Sequence, residues 1–223
     1  MNREFHAEKP NEKWLTDVTE FKYYEGPRVK KVYLSAILDL YDRRIVSFVI
    51  RDTNDNKLVF DTFAKAVQSN PDTHPIFHSD RGFQYTNRYF YQRLVNAGMT
   101  QSMSRVGRCI DNGPMEGFWG ILKRERYYGR RFTNRAELVK MIRSYIHYYN
   151  TKRLQRNLGV LTPLEKHLLM DSKRISLFKG TPNLMAKQNV RGGQSWLFPL
   201  NRKCSGSGKG TACYAHVSRT YAG

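Results

Sequence analysis

The chain alternates between short apolar runs and amphipathic stretches, and this pattern predicts an α/β domain. Residues 14–19, 32–40 and 45–50 are rich in β-branched and apolar side chains, and we expect a strand in each. The run VYLSAILDL at 32–40 is apolar almost throughout, as in a strand that is buried on both faces. The segment DRR at 42–44 can turn the chain, so the second and third strands are expected to form a hairpin.

Helices and strands then alternate along the chain. Apolar side chains recur at helical spacing in four stretches, which are 56–69, 87–97, 115–127 and 134–149. The remaining strands are predicted at 76–80 and 99–103. Residues 104–114 contain two glycines and a proline without apolar periodicity, which predicts a loop before the third helix. The order β-β-β-α-β-α-β-α-α indicates a mixed five-stranded sheet flanked by helices.

Two of the predicted helix starts carry capping signals. Asn134 is a candidate N-cap, with Glu137 three positions later as the partner that completes a capping box. The segment TPLE at 162–165 is a start of the same kind, with proline at the first helical position. A last helix is therefore expected to follow residue 162.

The charge of the chain predicts a polyanionic binding partner. The 223 residues include 38 Lys and Arg against 19 Asp and Glu, a formal net charge of +19. Such a surplus favours a nucleic-acid-binding protein, although a generally basic, solvated surface is the plainer alternative. Residues 171–223 hold nine Lys or Arg, one Asp and no Glu, with no helical or strand period, and we expect a basic, weakly structured tail there.

The cysteines and the lengths of the apolar runs indicate the compartment in which the chain works. The three cysteines, Cys109, Cys204 and Cys213, are odd in number and scattered, which argues against a disulfide framework and for a reducing compartment. The N-terminal residues contain no apolar run of the kind found in signal peptides. No stretch approaches 18 apolar residues, so we expect no transmembrane helix.

Three isolated carboxylates stand at or near the ends of predicted elements. Asp17 lies in the first strand, Asp80 ends the fourth and Glu116 opens the helix after the loop. Sites in open α/β sheets form at strand ends, and three hard oxygen ligands suit Mg²⁺. A pair of such ions about 3.5–4 Å apart can activate the attacking oxygen and stabilise the leaving oxygen of a phosphodiester. Taken singly, each acid is equally consistent with a surface residue or with support of a helix dipole.

The segments around these acids resemble the integrase core of bacterial insertion-sequence transposases. The resemblance lies in WLTDVTEF at 14–21, HSDRGFQY at 78–85 and SRVGRCIDNGPMEGFWGILKRE at 104–125. The family's hallmark is a spacing of 35 residues between its second Asp and its Glu, and residues 81–115 provide that spacing. The resemblance is to the OrfB-type, retroviral-integrase-like group and covers about residues 3–168.

The resemblance implies a ribonuclease-H-like fold and a set of functional residues. Asp17, Asp80 and Glu116 would be the catalytic triad and the ligands of two Mg²⁺ or Mn²⁺ ions. Lys123 follows Glu116 by two helical turns, so both are expected on one face, where the lysine can meet a phosphate. Candidate DNA-binding arginines near the site are Arg105, Arg108 and Arg124. The implied domains are an arm at 1–12, the integrase catalytic core at 13–168 and the tail at 169–223.

Other residues of the same motifs keep two interpretations. His78 is equally consistent with fixing the strand end and with substrate contact. Gln84 and Tyr85 either reach DNA or cap the following helix. Asp111 and Asn112 suit a turn or loop-anchoring role better than metal ligation.

The resemblance also implies an activity and its partners. We expect a polynucleotidyl transferase that cleaves DNA at transposon ends and joins the freed 3′-hydroxyl to target DNA, working as a homo-multimer in the bacterial cytoplasm at the nucleoid. The alternatives are a catalytically decayed DNA-binding remnant and a ribonuclease-H-like nuclease. Full proteins of the family carry helix-turn-helix regions before the core, so the chain is expected to be a separate core or a shortened copy.

Overall fold

The computed structural model describes residues 5–104 and 112–170 of the chain. The strands are β1 (Lys13–Glu25), β2 (Arg28–Asp39), β3 (Ile45–Arg51), β4 (Ile76–Ser79) and β5 (Thr100–Met103). The α-helices are α1 (Asn56–Ser69), α2 (Arg88–Asn96), α3 (Gly113–Leu122) and α4 (Arg135–Thr151). A π-helix at Lys123–Tyr127 continues α3, a 3-10 turn spans Arg156–Leu158, and residues 163–170 are helical.

The five strands form one mixed sheet in the order β3-β2-β1-β4-β5. β1, β2 and β3 pair antiparallel, which confirms the predicted hairpin, whereas β4 and β5 are parallel to β1. Helices flank this sheet, and the predicted fold class is confirmed in these elements. Most of the predicted basic tail lies outside the described residues, and so do the first four residues of the arm.

Apolar residues cover both faces of the sheet, because successive side chains of a strand point to opposite sides. Leu15 and Phe21 of β1 pack with the apolar side chains of α3 and α4 on one face. Trp14 of the same strand packs with α1 and α2 on the other face. By this alternation Asp17 belongs to the face that α3 and α4 cover.

Two elements differ from the sequence prediction. β1 extends six residues beyond the expected end at residue 19 because its second half pairs with β2 as far as the Glu25–Arg28 pair. The helix expected at 115–127 is α-helical only to Leu122 and then continues as the π-helix. Hydrophobic periodicity could not reveal that change, since the π segment buries none of its five residues.

Both predicted helix starts are confirmed by their hydrogen bonds. Asn134 Oδ1 accepts from the backbone N–H of Ala136 at 2.7 Å. Thr162 and Glu165 form a reciprocal capping box, with Thr162 N–H donating to Glu165 Oε2 at 2.8 Å and Glu165 N–H to Thr162 Oγ1 at 3.2 Å. Among the described helices, none is both long and apolar enough to cross a membrane.

Candidate active site

Parallel pairing of β1 with β4 brings the first two acids to the same level of the sheet. Leu15 pairs with His78, and each acid lies two residues further along its strand direction. Asp17 therefore stands in β1 beside the position where β4 ends and Asp80 begins the following loop. The half-buried Asp17 lies inside the strand, whereas Asp80 is exposed.

A tight turn holds the Asp80 carboxylate. Its Oδ1 accepts from the backbone N–H of Gly82 at 2.9 Å. A Cβ atom at position 82 would lie 3.0 Å from that oxygen and 3.2 Å from Gln84 Oε1, so any larger residue there would displace both side chains by a few tenths of an ångström. The side chain of Arg81 turns away to the carbonyl of Ser104, to which its Nε donates at 2.9 Å.

Helix α3 supplies the third acid from its first turn. Glu116 is exposed, and Pro114 occupies one of the first helical positions, where its missing N–H leaves no bond unmade. Trp119, one turn after Glu116, donates from its indole Nε1 to Asp17 Oδ2 at 2.9 Å. This bond joins the helix of the third acid to the strand of the first.

The charges of Asp80 and Glu116 both act on the carboxylate of Asp17. Its pKa is raised to about 6, chiefly because burial penalises the charged form, and the charges of Asp80 and Glu116 raise it further. The hydrogen bond from Trp119 acts in the opposite direction. The structure thus brings the three predicted acids into one electrostatic cluster.

This cluster has the donor chemistry of a site for a hard divalent cation. Carboxylate oxygens are the ligands that Mg²⁺ prefers, and a bound cation would offset the repulsion that raises the pKa of Asp17. In the described parts of the chain, however, no three Asp, Glu, His or Cys side chains are arranged so that they could hold a metal ion as they stand. The carboxylate of Glu116, exposed in the first turn of α3, can rotate towards such an ion.

Lys123 lies next to the acid cluster. Its ammonium group is 5.3 Å from the centre of the Phe21 ring. Burial lowers its pKa, while the nearby charges of Glu20 and Asp17 act to raise it. The lysine thus sits on the side of the helix that faces Asp17, and the face that it is expected to share with Glu116 stays a prediction.

The predicted DNA-binding arginines are only partly described. Arg124 is exposed on the π-helix, whereas Arg105 and Arg108 lie outside the described residues, as does Asp111. Further exposed cations follow on the same stretch, with the Arg131 guanidinium 4.6 Å from the centre of the Tyr24 ring. The stretch from Lys123 to Arg131 is therefore a basic surface that continues from the acid cluster.

Three motif residues are too buried to contact a substrate. His78 is fully buried, with its ring nitrogens 3.0 Å from Ser102 Oγ and 3.3 Å from Ser104 Oγ. Gln84 donates to Asn54 Oδ1 at 2.6 Å, and Tyr85 is 2% exposed. The structure therefore favours fixing the strand end over substrate contact for His78, and burial argues against DNA contact for Gln84 and Tyr85. The N-cap of α2 is Asn87, so neither of these two residues caps that helix.

Sequence reasoning missed the polar role of Trp119, which it counted only as an apolar position of the helix. Its spacing of three residues from Glu116 was the available signal, since such neighbours share a helix face. It also missed Thr16, whose contacts involve residues 69 and 96 positions away. No local pattern predicts contacts at such separations.

The chain matches two models of the integrase core domain, one over residues 7–109 and one over residues 116–166. InsK of insertion sequence element IS150 from Escherichia coli is 40% identical over 166 residues, covering 74% of this chain and 57% of InsK. A transposase-like protein of Haemophilus influenzae is 43% identical over 164 residues, covering 74% of both chains. The transposase for IS904 from Lactococcus lactis is 38% identical over 165 residues, covering 73% of this chain and 64% of that protein. The chain thus spans little more than half the length of InsK.

Solved structures share the fold at low sequence identity. The HTLV-2 integrase catalytic core in complex with magnesium superposes with a TM-score of 0.57 at 17% identity, covering 73% of this chain and 99% of that one. A simian T-cell lymphotropic virus intasome superposes with a TM-score of 0.60 at 15% identity, covering 85% of this chain and 62% of that one. These likenesses show the integrase-core fold.

Proposed function

The chain belongs to the integrase core family of insertion-sequence transposases, and we propose that it is a DDE transposase core that cleaves and joins DNA strands during transposition. The observation that carries this proposal is the convergence of Asp17, Asp80 and Glu116 from a strand, a strand end and a helix, where the charges of Asp80 and Glu116 both act on Asp17. Because the chain spans only part of InsK, the proposal concerns the chemistry of the core.

We assign the catalytic roles to the three acids. Bound between them, two Mg²⁺ or Mn²⁺ ions would activate the attacking oxygen and stabilise the leaving oxygen. The chain's own contribution is to hold the carboxylates in place: the Gly82 N–H orients Asp80, and the Trp119 indole orients Asp17. Family membership, the hard oxygen donors and the magnesium complex of the HTLV-2 core support this metal assignment.

DNA is the proposed substrate, both as transposon end and as target. The net charge of +19 supports a polyanionic partner, and the basic stretch from Lys123 to Arg131 continues from the acid cluster. Lys123 and Arg124 are proposed to contact phosphates next to the scissile bond, and Arg105 and Arg108 are proposed to do so from the preceding segment. The intasome neighbour supports assembly of several copies on DNA. Relatives from bacteria support action on nucleoid DNA in the cytoplasm.

The experiment that tests this function is a cleavage and strand-transfer assay on labelled DNA that carries the ends flanking the gene. The parent chain is expected to give joined products only when Mg²⁺ or Mn²⁺ is added, and Glu116→Gln is expected to give none. Binding of DNA without any metal-dependent product from the parent would identify a decayed remnant. Cleavage of an RNA–DNA hybrid without joined DNA products would identify a nuclease instead.

A further inference from the structure

Thr16, the residue before Asp17, is a buried junction of hydrogen bonds between separate elements. It is 1% exposed, and its Oγ1 donates to the carbonyl of Ala36 in β2 at 3.0 Å. The same Oγ1 lies 3.2 Å from the hydroxyl oxygen of Tyr85. The backbone carbonyl of Thr16 accepts from Asn112 Nδ2 at 3.2 Å.

Hydrogen counting fixes the direction of the Tyr85 bond. A threonine hydroxyl carries one hydrogen, and that hydrogen is used on the Ala36 carbonyl. The Tyr85 hydroxyl must therefore donate to a lone pair of Thr16 Oγ1. Tyr85 is 2% exposed, so loss of this partner would leave a buried hydroxyl whose neighbouring polar group is the side chain of Ser35.

Each bond leads to a different acid of the cluster. Tyr85 N–H donates to the carbonyl of Gly82 at 2.9 Å, and Gly82 N–H in turn holds Asp80 Oδ1. Asn112 is the N-cap residue of α3, four positions before Glu116, and it is 5% exposed. Asp17 follows Thr16 directly in β1. The side chain and the backbone carbonyl of Thr16 thus connect the elements that carry all three acids.

We propose that Thr16, with Tyr85 and Asn112, is a positioning centre that sets the mutual distances of the three carboxylates and thereby the affinity of the site for divalent cations. This inference rests on the proposed function of the acids. It goes beyond that function by assigning a role to residues that touch neither DNA nor metal. It also gives a physical reason for the burial of one polar residue in each of the three motif segments, Thr16, Tyr85 and Asn112.

A simpler reading is that these are ordinary buried hydrogen bonds that contribute only to stability. The two readings differ in what Thr16→Val changes, because valine keeps the shape of threonine and removes the hydroxyl. Thr62→Val is the matched control, since Thr62 is also 1% exposed and donates to a backbone carbonyl, that of Leu58, at 2.8 Å. Thr62 lies on α1, away from the elements of the three acids.

The test measures Mn²⁺ binding to the full chain without DNA, by calorimetry or by the loss of the free-ion electron paramagnetic resonance signal, together with the melting temperature. Thr16→Val and Tyr85→Phe are each expected to weaken Mn²⁺ binding by about tenfold, the effect of one such hydrogen bond. Thr62→Val is expected to lower the melting temperature while leaving Mn²⁺ binding unchanged. The double variant Thr16→Val with Tyr85→Phe is expected to bind Mn²⁺ no more weakly than Thr16→Val alone, because both changes remove the same bond.

The outcomes separate this inference from the function on which it rests. Parent-like Mn²⁺ binding by Thr16→Val and Tyr85→Phe, with a melting temperature lowered as in Thr62→Val, would overturn the positioning centre and leave the proposed function intact. If the parent chain binds no Mn²⁺, or if the Glu116→Gln variant binds Mn²⁺ with the same affinity as the parent, the metal assignment is wrong, and the positioning centre is wrong with it.

Discussion

The indole of Trp119 donates a 2.9 Å hydrogen bond to Oδ2 of Asp17, so a residue of the helix that carries one acid holds the carboxylate of another. This bond is one of the contacts that lower the pKa of Asp17 against the effect of burial. It also orients one oxygen of a carboxylate that the catalytic proposal requires to be ionised. The first two predictions concern this carboxylate.

Trp119→Phe should move the pH dependence of Mn²⁺ binding upwards. Loss of the indole N–H removes a bond to a charged group worth about 1.5–3 kcal/mol, which corresponds to a rise of about one unit or more in the pKa of Asp17 above about 6. Since protons compete with the cation, binding should require a higher pH by about one unit. Mn²⁺ titrations from pH 5 to pH 8.5 measure the shift.

Trp14→Phe is the matched control for that experiment. Trp14 is fully buried and also donates from its indole, to Asn11 Oδ1 at 3.1 Å, but on the other face of the sheet. The Trp14→Phe variant should have a lower melting temperature than the parent, with the pH dependence of Mn²⁺ binding unchanged. Equal shifts in both variants would mean that the Trp119 bond does not control Asp17.

Asp17→Asn should stabilise the fold at neutral pH. A folded-state pKa of about 6 lies above the unfolded value of 3.8, so the folded state binds the extra proton between these two values. Stability therefore falls as pH rises from about 4 to about 6, and ionised Asp17 costs at most about 3 kcal/mol above that window. The variant should melt at a higher temperature than the parent at pH 7.5.

The advantage of Asp17→Asn should shrink as pH is lowered through 6 and vanish below about pH 3, where Asp17 is protonated in both the folded and the unfolded state. Asp39 also has a pKa raised to about 6, mainly by burial, but it is present in both proteins and cancels in the comparison. A difference in melting temperature that does not depend on pH would show that the charge of Asp17 is not what destabilises the parent.

Gly82→Ala should damage the Asp80 turn. The added Cβ would lie 3.0 Å from Asp80 Oδ1, so the carboxylate must move away from the Gly82 N–H that holds it. We expect Mn²⁺ binding to weaken by about tenfold, the loss of one charge-assisted hydrogen bond. Gly117→Ala is the control, because a Cβ there meets no atom within 4 Å and alanine favours the helix by up to about 1 kcal/mol. Equal Mn²⁺ affinities in the two variants would contradict the proposed role of the turn.

Lys123→Ala should weaken DNA binding and reduce its salt dependence. Removal of one phosphate contact lowers the slope of log affinity against log salt concentration by about one. Lys57→Ala is the comparison, since Lys57 is exposed on α1 and pairs with Asp61 at 3.7 Å. Fluorescence anisotropy at several salt concentrations gives both slopes, and the same slope for both variants would argue against a phosphate contact by Lys123.

The order of elements could be predicted from the sequence, because apolar periodicity is a local property of the chain. Motif spacing selected three acids, and the fold places two of them where their charges act on Asp17, while their catalytic role stays a prediction. The sequence was not sufficient for the length of β1, whose second half is fixed by pairing with β2. The π-helix was likewise invisible, although it sets the direction of Glu125 towards Arg153 and Tyr145. The role of Thr16 depends on contacts between distant segments, which only the folded structure brings together.

The assignment of the three acids as the catalytic site is tested most directly by measuring DNA affinity and metal-dependent joined product for the parent and for Asp80→Asn on the same labelled transposon-end DNA. We expect Asp80→Asn to bind this DNA as tightly as the parent or more tightly, because a negative charge facing phosphates is removed, and to form no product with Mg²⁺ or Mn²⁺. Metal-dependent product from Asp80→Asn at a rate close to that of the parent would contradict the assignment of the three acids as the catalytic site.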